Sequence, residues 1–170
     1  MKIGLLSDTH DRVPAIEALL KRMEARGVSL VLHAGDYCSP FALEAFGAIA
    51  VPVVGVFGRN DGDREGLRAA AATSGLATEL FESPHSFELE GKAVLLVHDL
   101  GEVQPRSLDA HAIVVHGCSH KAERTTRGEV LVINPGEACG WVTGSPSAAI
   151  LDLDSNDVEF ITLDADESRG

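Results

Sequence analysis

Three short apolar runs in the first sixty residues constrain this chain more than any other feature. Residues 2–7, Leu30–Leu32 and Val53–Phe57 each read as a buried strand, and each stops abruptly at polar residues. Between the first two, Val13, Ile16, Leu19, Leu20 and Met23 recur at helical spacing, with Pro14 in the first turn and Gly27 as a terminator. A short helix around Phe41–Phe46 follows the second run, and the Ala-rich residues 64–73 read as a helix after the third. Strands alternating with helices predict a parallel sheet with helices on its faces. In open sheets of that kind, ligands collect at the carboxyl ends of the strands.

The second half changes character. Ser86–Leu89 and Ala93–Val97 flank Glu90-Gly91-Lys92 as a hairpin, and Ala112–Val115, Val130–Ile133, Ala148–Leu153 and Val158–Leu163 follow as strands. Asn156-Asp157 makes the turn between the last two. These elements predict a second, more antiparallel sheet packed on the first. No linker or repeat divides the 170 residues, so the expectation is one domain over 1–163 and a polar tail over 164–170.

Charge and cysteine content narrow the function. A net charge of -12 excludes a surface that coats nucleic acid, because phosphate backbones would be repelled. A small phosphorylated substrate is compatible with it only if something positive waits in the site, and few basic residues cluster. A metal ion is the natural candidate. Cys38, Cys118 and Cys139 are an odd number that forms no disulfide framework. No apolar run reaches the ~20 residues of a membrane span. Met1 leads directly into the first strand without a signal peptide, so a cytoplasmic location is expected.

Polar groups stand just after the apolar runs throughout the chain: Asp8 and His10, Asp36, Asn60, His98, then Cys118 and His120. They supply oxygen, nitrogen and sulfur donors, the inventory required by two divalent ions about 3.5–4 Å apart with a shared carboxylate. As an ordered set, Asp8-Thr9-His10, Gly35-Asp36, Gly58-Arg59-Asn60-Asp61, His98, Gly117-Cys118-Ser119-His120 and Asn134-Pro135-Gly136 resemble the blocks of the calcineurin-like metallophosphoesterases. The resemblance is closest to the small single-domain bacterial and archaeal phosphodiesterases and runs from residue 3 to about residue 153.

That resemblance implies an α/β fold of four layers, an αββα sandwich of two mixed β-sheets flanked by helices. It implies hydrolysis of a small phosphate ester, most readily a diester, with two divalent ions (Mn, Ni, Zn or Fe). Asp8, His10 and His120 would hold the first ion, Asp36 would bridge, and Asn60 and His98 would hold the second. Water between the ions would be the nucleophile, with Asn60 steadying the developing charge. Cys118 occupies the remaining ligand position, where the family usually has Gly-His-x-His and this chain has Gly-Cys-Ser-His. A thiolate there favours zinc or iron over magnesium or calcium and removes one unit of positive surplus. Coordination is the preferred reading, and a protonated, non-coordinating thiol is the alternative.

Other residues are weighed beside these. Asp61 stands where many larger members carry a histidine, and reads as a support for a metal-bound imidazole. Arg12 and Arg59 neighbour ligand positions and are candidate bidentate partners for a substrate phosphate. His33 reads as a packed or surface histidine, His85 as an exposed loop residue, and Trp141 as a packing residue or a cover over the site. Phosphate-binding glycine loops and a Gly-x-Ser-x-Gly elbow are absent. A phosphomonoesterase with the same site, or a protein-interaction scaffold like the retromer subunit that shares the fold, remain the rivals. The oligomeric state, a homo-oligomer included, is left open.

Overall fold

A computed structural model describes residues 1–73, 78–164 and 167 of the chain. Strands β1 (Lys2–Leu6), β2 (Leu30–His33), β3 (Val53–Val56) and β4 (Thr78–Phe81) alternate with helices α1 (Val13–Glu24) and α2 (Arg64–Thr73) and with a 3-10 helix, Pro40–Ala48. These four strands run parallel, and β10 (Ser147–Asp152) and β11 (Val158–Thr162) complete a six-stranded sheet in the order β11-β10-β1-β2-β3-β4, with β10 antiparallel to β1 and β11 antiparallel to β10. The second sheet has the order β5-β6-β7-β9-β8, from β5 (His85–Leu89), β6 (Lys92–Leu96), β7 (Ile113–Val115), β8 (Ala122–Arg127) and β9 (Val130–Pro135). Both sheets are mixed, and helices flank them, as expected.

Side-chain alternation builds three apolar layers. Ile3, Leu5, Leu32 and Val56 face Leu96, Ile113, Val115 and Ile133 across the gap between the sheets. Leu6 and Val31 face the other way, onto Ile16, Leu19, Leu20 and Met23 of α1 and onto Phe46. Gly4 lets α1 approach closely, since a Cβ there would lie 2.6 Å from the Met23 sulfur. The outer face of the second sheet is covered thinly, by Leu108 of the four-residue helix α3 (Pro105–Leu108) and by Leu100 and Val103. Among the described residues no helix is long and apolar enough to cross a membrane.

Three expectations are corrected. The last two strands, expected in the second sheet, join the first as β10 and β11, which leaves the second with β5 and β8 antiparallel at its edges around a parallel core of β6, β7 and β9. That parallel core brings His98 and the 117–120 loop to one edge. Strands β4 and β8 were not anticipated at all. His85 is half-buried in β5, stacked on Phe81 at 3.8 Å. Of the polar tail expected over 164–170, only Asp164 and Glu167 lie among the described residues.

His33, at the end of β2, is buried and stacked on Tyr37 with ring centroids 3.9 Å apart. The Gly35 N–H donates to its Nδ1 at 3.1 Å, which leaves Nε2–H to donate to the Thr9 hydroxyl at 3.2 Å. Burial without an anionic partner takes its pKa down to about 3. The unfolded chain therefore binds a proton below about pH 6.5 that the folded chain refuses. Stability is fully present above that pH and falls as pH drops towards 3, by about 1.4 kcal/mol per pH unit for this group. Urea midpoints of metal-free protein between pH 6 and 4 are expected to show this slope, and His33→Asn to flatten it. Parallel slopes for the two proteins would refute the assignment.

Candidate metal centre

The seven candidate donor residues stand where the strands of both sheets end. The loop after β1 is bolted to the loop after β2 by backbone bonds from Asp8 N to Gly35 O at 3.0 Å and from Thr9 and His10 N to Asp36 O at 3.0 and 3.1 Å. Asp8, His10, Asp36, Cys118 and His120 all have positive φ, between 38° and 66°. Non-glycine residues enter that region at a cost of order 1–3 kcal/mol each, and such residues concentrate at functional sites.

The inner face of the cluster is defined by atoms without partners. Asp8 Oδ2 accepts the Ser7 hydroxyl at 2.5 Å and the Cys118 N–H at 3.1 Å, while buried Asp8 Oδ1 has no hydrogen-bond partner. His10 Nε2 and His98 Nε2 are likewise buried and unpartnered. The separations among these atoms are too long for hydrogen bonds: His120 Nε2 to Asp8 Oδ1 3.4 Å, His10 Nε2 to Asp8 Oδ1 3.8 Å, His10 Nε2 to Asp36 Oδ2 3.6 Å, His98 Nε2 to Asp36 Oδ2 3.5 Å. Donors around a tetrahedral ion with bonds of ~2.0–2.2 Å stand about 3.3–3.6 Å apart. Buried donors without partners at ligand-to-ligand spacing fit a metal. Burial raises the Asp8 pKa, but His10, the Ser7 hydroxyl and the His120 and His98 imidazoles together take it below the ordinary value.

A second ring of contacts aims the imidazoles. His98 Nδ1 donates to Ala34 O at 2.8 Å, His120 Nδ1 to Glu137 Oε2 at 2.7 Å, and His10 Nδ1 lies 3.2 Å from Cys38 Sγ. Occupied Nδ1 positions turn every Nε2 inward, the usual way a protein fixes the tautomer of a metal ligand. Burial works against ionisation of Glu137, but His120 and the side-chain and backbone donors of Thr143 and Val142 take its pKa down to about 2. Glu137→Gln is expected to weaken metal affinity by about 10–100-fold. Competition against a chromophoric chelator measures this, and unchanged affinity would refute the role.

Not every predicted site residue sits as expected. Asn60 donates from its backbone N to Asp36 Oδ1 at 2.8 Å and from Nδ2 to Asp36 Oδ2 at 2.7 Å, so its Oδ1 is the side-chain atom left to ligate. Two tight donor groups, Asp8–His10–Asp36 and His10–His120–Cys139, stand out among the described residues, and the Cys118 thiol belongs to neither. Burial and nearby Asp99 raise the pKa of that thiol. Asp61 supports no imidazole: its carboxylate accepts the backbone N–H groups of Asp36, Cys38 and Gly58 at 2.7–3.0 Å. Arg59 pairs with Asp99 at the surface, and Arg12 donates to Cys139 O and stacks over Trp141.

Two contributors were missed. Glu137 had a signal, an acidic residue inside the otherwise apolar and small-residue stretch 130–140, where a lone charge implies a partner. Asn134 was noted only as part of a motif. Its Nδ2 donates to Gly117 O at 3.0 Å and Ser119 Oγ at 2.9 Å, stapling the loop that carries Cys118 and His120.

Comparison with known proteins identifies the family. Residues 1–156 match the calcineurin-like phosphoesterase superfamily domain. A phosphodiesterase of Methanocaldococcus jannaschii is 30% identical over 168 residues, spanning 96% of this chain and all of that protein. A probable metallophosphoesterase of Methanothermobacter thermautotrophicus is 32% identical over 186 residues, 99% of this chain and 96% of its own. Among solved structures, an archaeal phosphodiesterase superposes with a TM-score of 0.89 at 30% identity, covering 96% of this chain and 100% of that one. Vps29 from Entamoeba histolytica, complexed with zinc, shares the fold at a TM-score of 0.65 and 20% identity, over 96% and 99% of the two chains. The chain belongs to the calcineurin-like phosphoesterase superfamily, and is a metal-dependent phosphoesterase.

Proposed function

We propose that this chain is a phosphodiesterase with a dinuclear centre, Asp8, His10 and His120 holding one ion, Asn60, His98 and Cys118 the other, and Asp36 bridging. The observation that carries the reading is Asp36 Oδ2, which lies within 3.6 Å of His10 Nε2 on one side and 3.5 Å of His98 Nε2 on the other. Divalent ions bound there would polarise a phosphoryl oxygen and lower the pKa of water. The chain's own residues orient that chemistry. Asn60 is held by Asp36 through two hydrogen bonds, so its amide is aimed before substrate arrives. Asp61 spends its carboxylate on three backbone N–H groups, so it is committed to holding the loops rather than to a leaving group. Activated esters should therefore react fastest.

A cysteine ligand reduces the positive surplus of the pair and leans the site to diesters, which carry one charge rather than two. The similarity to an archaeal phosphodiesterase over nearly the whole chain points the same way. Three unpaired thiols suit a reducing cytoplasm. The deciding measurement compares bis(p-nitrophenyl) phosphate with p-nitrophenyl phosphate before and after chelation. Diester cleavage that exceeds monoester cleavage and vanishes with the metal is expected. Chelator-resistant turnover, or faster monoester cleavage, would overturn the reading. Cys118→His is expected to shift metal preference away from zinc and iron towards manganese. Identical metal content and activity in that variant would show that Cys118 does not coordinate.

A further inference from the structure

Trp141 is the chain's single tryptophan and is 63% exposed, beside Val142 at 73%. An exposed indole is common enough to mean nothing by itself, but this one is held in place from three directions. Its Nε1–H points at the carbonyl oxygen of His10, 3.4 Å away, so the ring stands one residue's backbone from a metal donor. The Arg12 guanidinium lies over the ring, 4.6 Å from its centroid, and is itself tied to the Cys139 carbonyl. In the backbone just after the ring, the Glu137 carboxylate that holds His120 also accepts the Val142 N–H at 3.0 Å and the Thr143 N–H. The same acidic group thus sets both the imidazole and the loop that carries the indole.

We infer that Trp141 is a specificity-determining residue, a stacking platform for a flat aromatic group on the substrate ester. One face of the ring is backed by Arg12, which is electron-poor and fixes the ring's tilt. A rigid, partly exposed aromatic beside a phosphate-handling site offers a large contact at small conformational cost. Base or aryl stacking on such a ring tolerates many ring types, because each has a π-face. The chemistry recognised is therefore a planar ring on the group esterified to phosphorus, attached directly in an aryl ester or through the sugar in a nucleotide. Arg12 serves this platform rather than gripping the phosphate.

The proposal rests on the phosphoesterase reading but is tested apart from turnover. Because the chain has one tryptophan, fluorescence of the metal-loaded protein reports on this position alone. Phenylphosphonate and adenosine monophosphate are expected to quench it saturably, while methylphosphonate and inorganic phosphate leave it unquenched. Quenching by both aromatic ligands supports the general platform, and quenching by only one identifies the source of the ring. Quenching by neither aromatic ligand, or by methylphosphonate as strongly as by them, would overturn the inference. Trp141→Ala is expected to raise KM for a diaryl diester about tenfold, with kcat moving by about twofold at most, and Trp141→Phe to recover most of the loss. An unchanged KM in Trp141→Ala would also overturn it. A wild-type protein that hydrolyses no diester yet shows ring-dependent quenching would refute the proposed activity and keep the platform.

Discussion

Asp36→Asn is expected to lower turnover on the order of 10³-fold and to reduce bound metal below that of the wild type. The reasoning is local. Asp36 Oδ2 lies near both His10 and His98, and its other oxygen accepts the Asn60 N–H. The amide that replaces it keeps the shape and one carbonyl oxygen. It loses the negative charge that lets two cations stand close together, and it turns an NH₂ group towards either the metals or the Asn60 donors. Either orientation breaks a contact. Elemental analysis and diester turnover on the same preparation test this, and activity within tenfold of wild type with full metal would refute the bridging role.

Gly58→Ala is expected to be nearly as damaging although residue 58 touches no metal. A Cβ at this position would lie 2.2 Å from Asp36 Oδ1 and 2.5 Å from the Asp36 backbone nitrogen. Side-chain rotation would relieve the first contact, but the second is to backbone and cannot be relieved that way. Asp36 is already at φ 64° and pinned by Asp61, so the methyl group has no flexible neighbour to push aside. Overpacking of this kind costs about 1–3 kcal/mol, which a chain with three apolar layers can absorb. The damage should therefore appear as a roughly 10²-fold or greater fall in turnover with near-native circular dichroism, since misplacement of about 1 Å costs that much. Near-wild-type kinetics would show that the two loops can separate freely.

How far the sequence reached depended on where the hydrophobic signal lay. The interior strands β1, β2 and β3 were plain because both faces are buried, giving continuous apolar runs. Strand β8, Ala-Glu-Arg-Thr-Thr-Arg, was invisible because all six residues are exposed, and backbone pairing with β9 holds it in place. Edge strands often look like this. Strand β4, at the other sheet's edge, hid for a related reason: none of its residues is fully buried.

The donors at the site were legible as residue types, since Asp, His and Asn after apolar runs have few other uses. Their backbone was not. Nothing in Asp8, Asp36 or His120 as letters reveals a left-handed conformation, which is imposed by bonds between loops far apart in sequence. Glu137 acts across 17 residues on His120 and was equally hidden. Asp61 was read as a support for a metal-bound imidazole, but its partners are backbone amides, which no side-chain pattern encodes.

Asp8, His10, Asp36 and Asn60 hang from the first sheet, whereas His98, Cys118 and His120 hang from the second. Neither sheet carries a full set for either proposed ion, so each would work as a rivet driven through the seam between the two halves of the chain. Metal that binds only the docked form adds its binding energy to the cohesion of that seam. A half-made or half-unfolded chain is, by the same logic, chemically silent. Hydrolytic competence would then belong to the docked pair of sheets and to neither sheet alone.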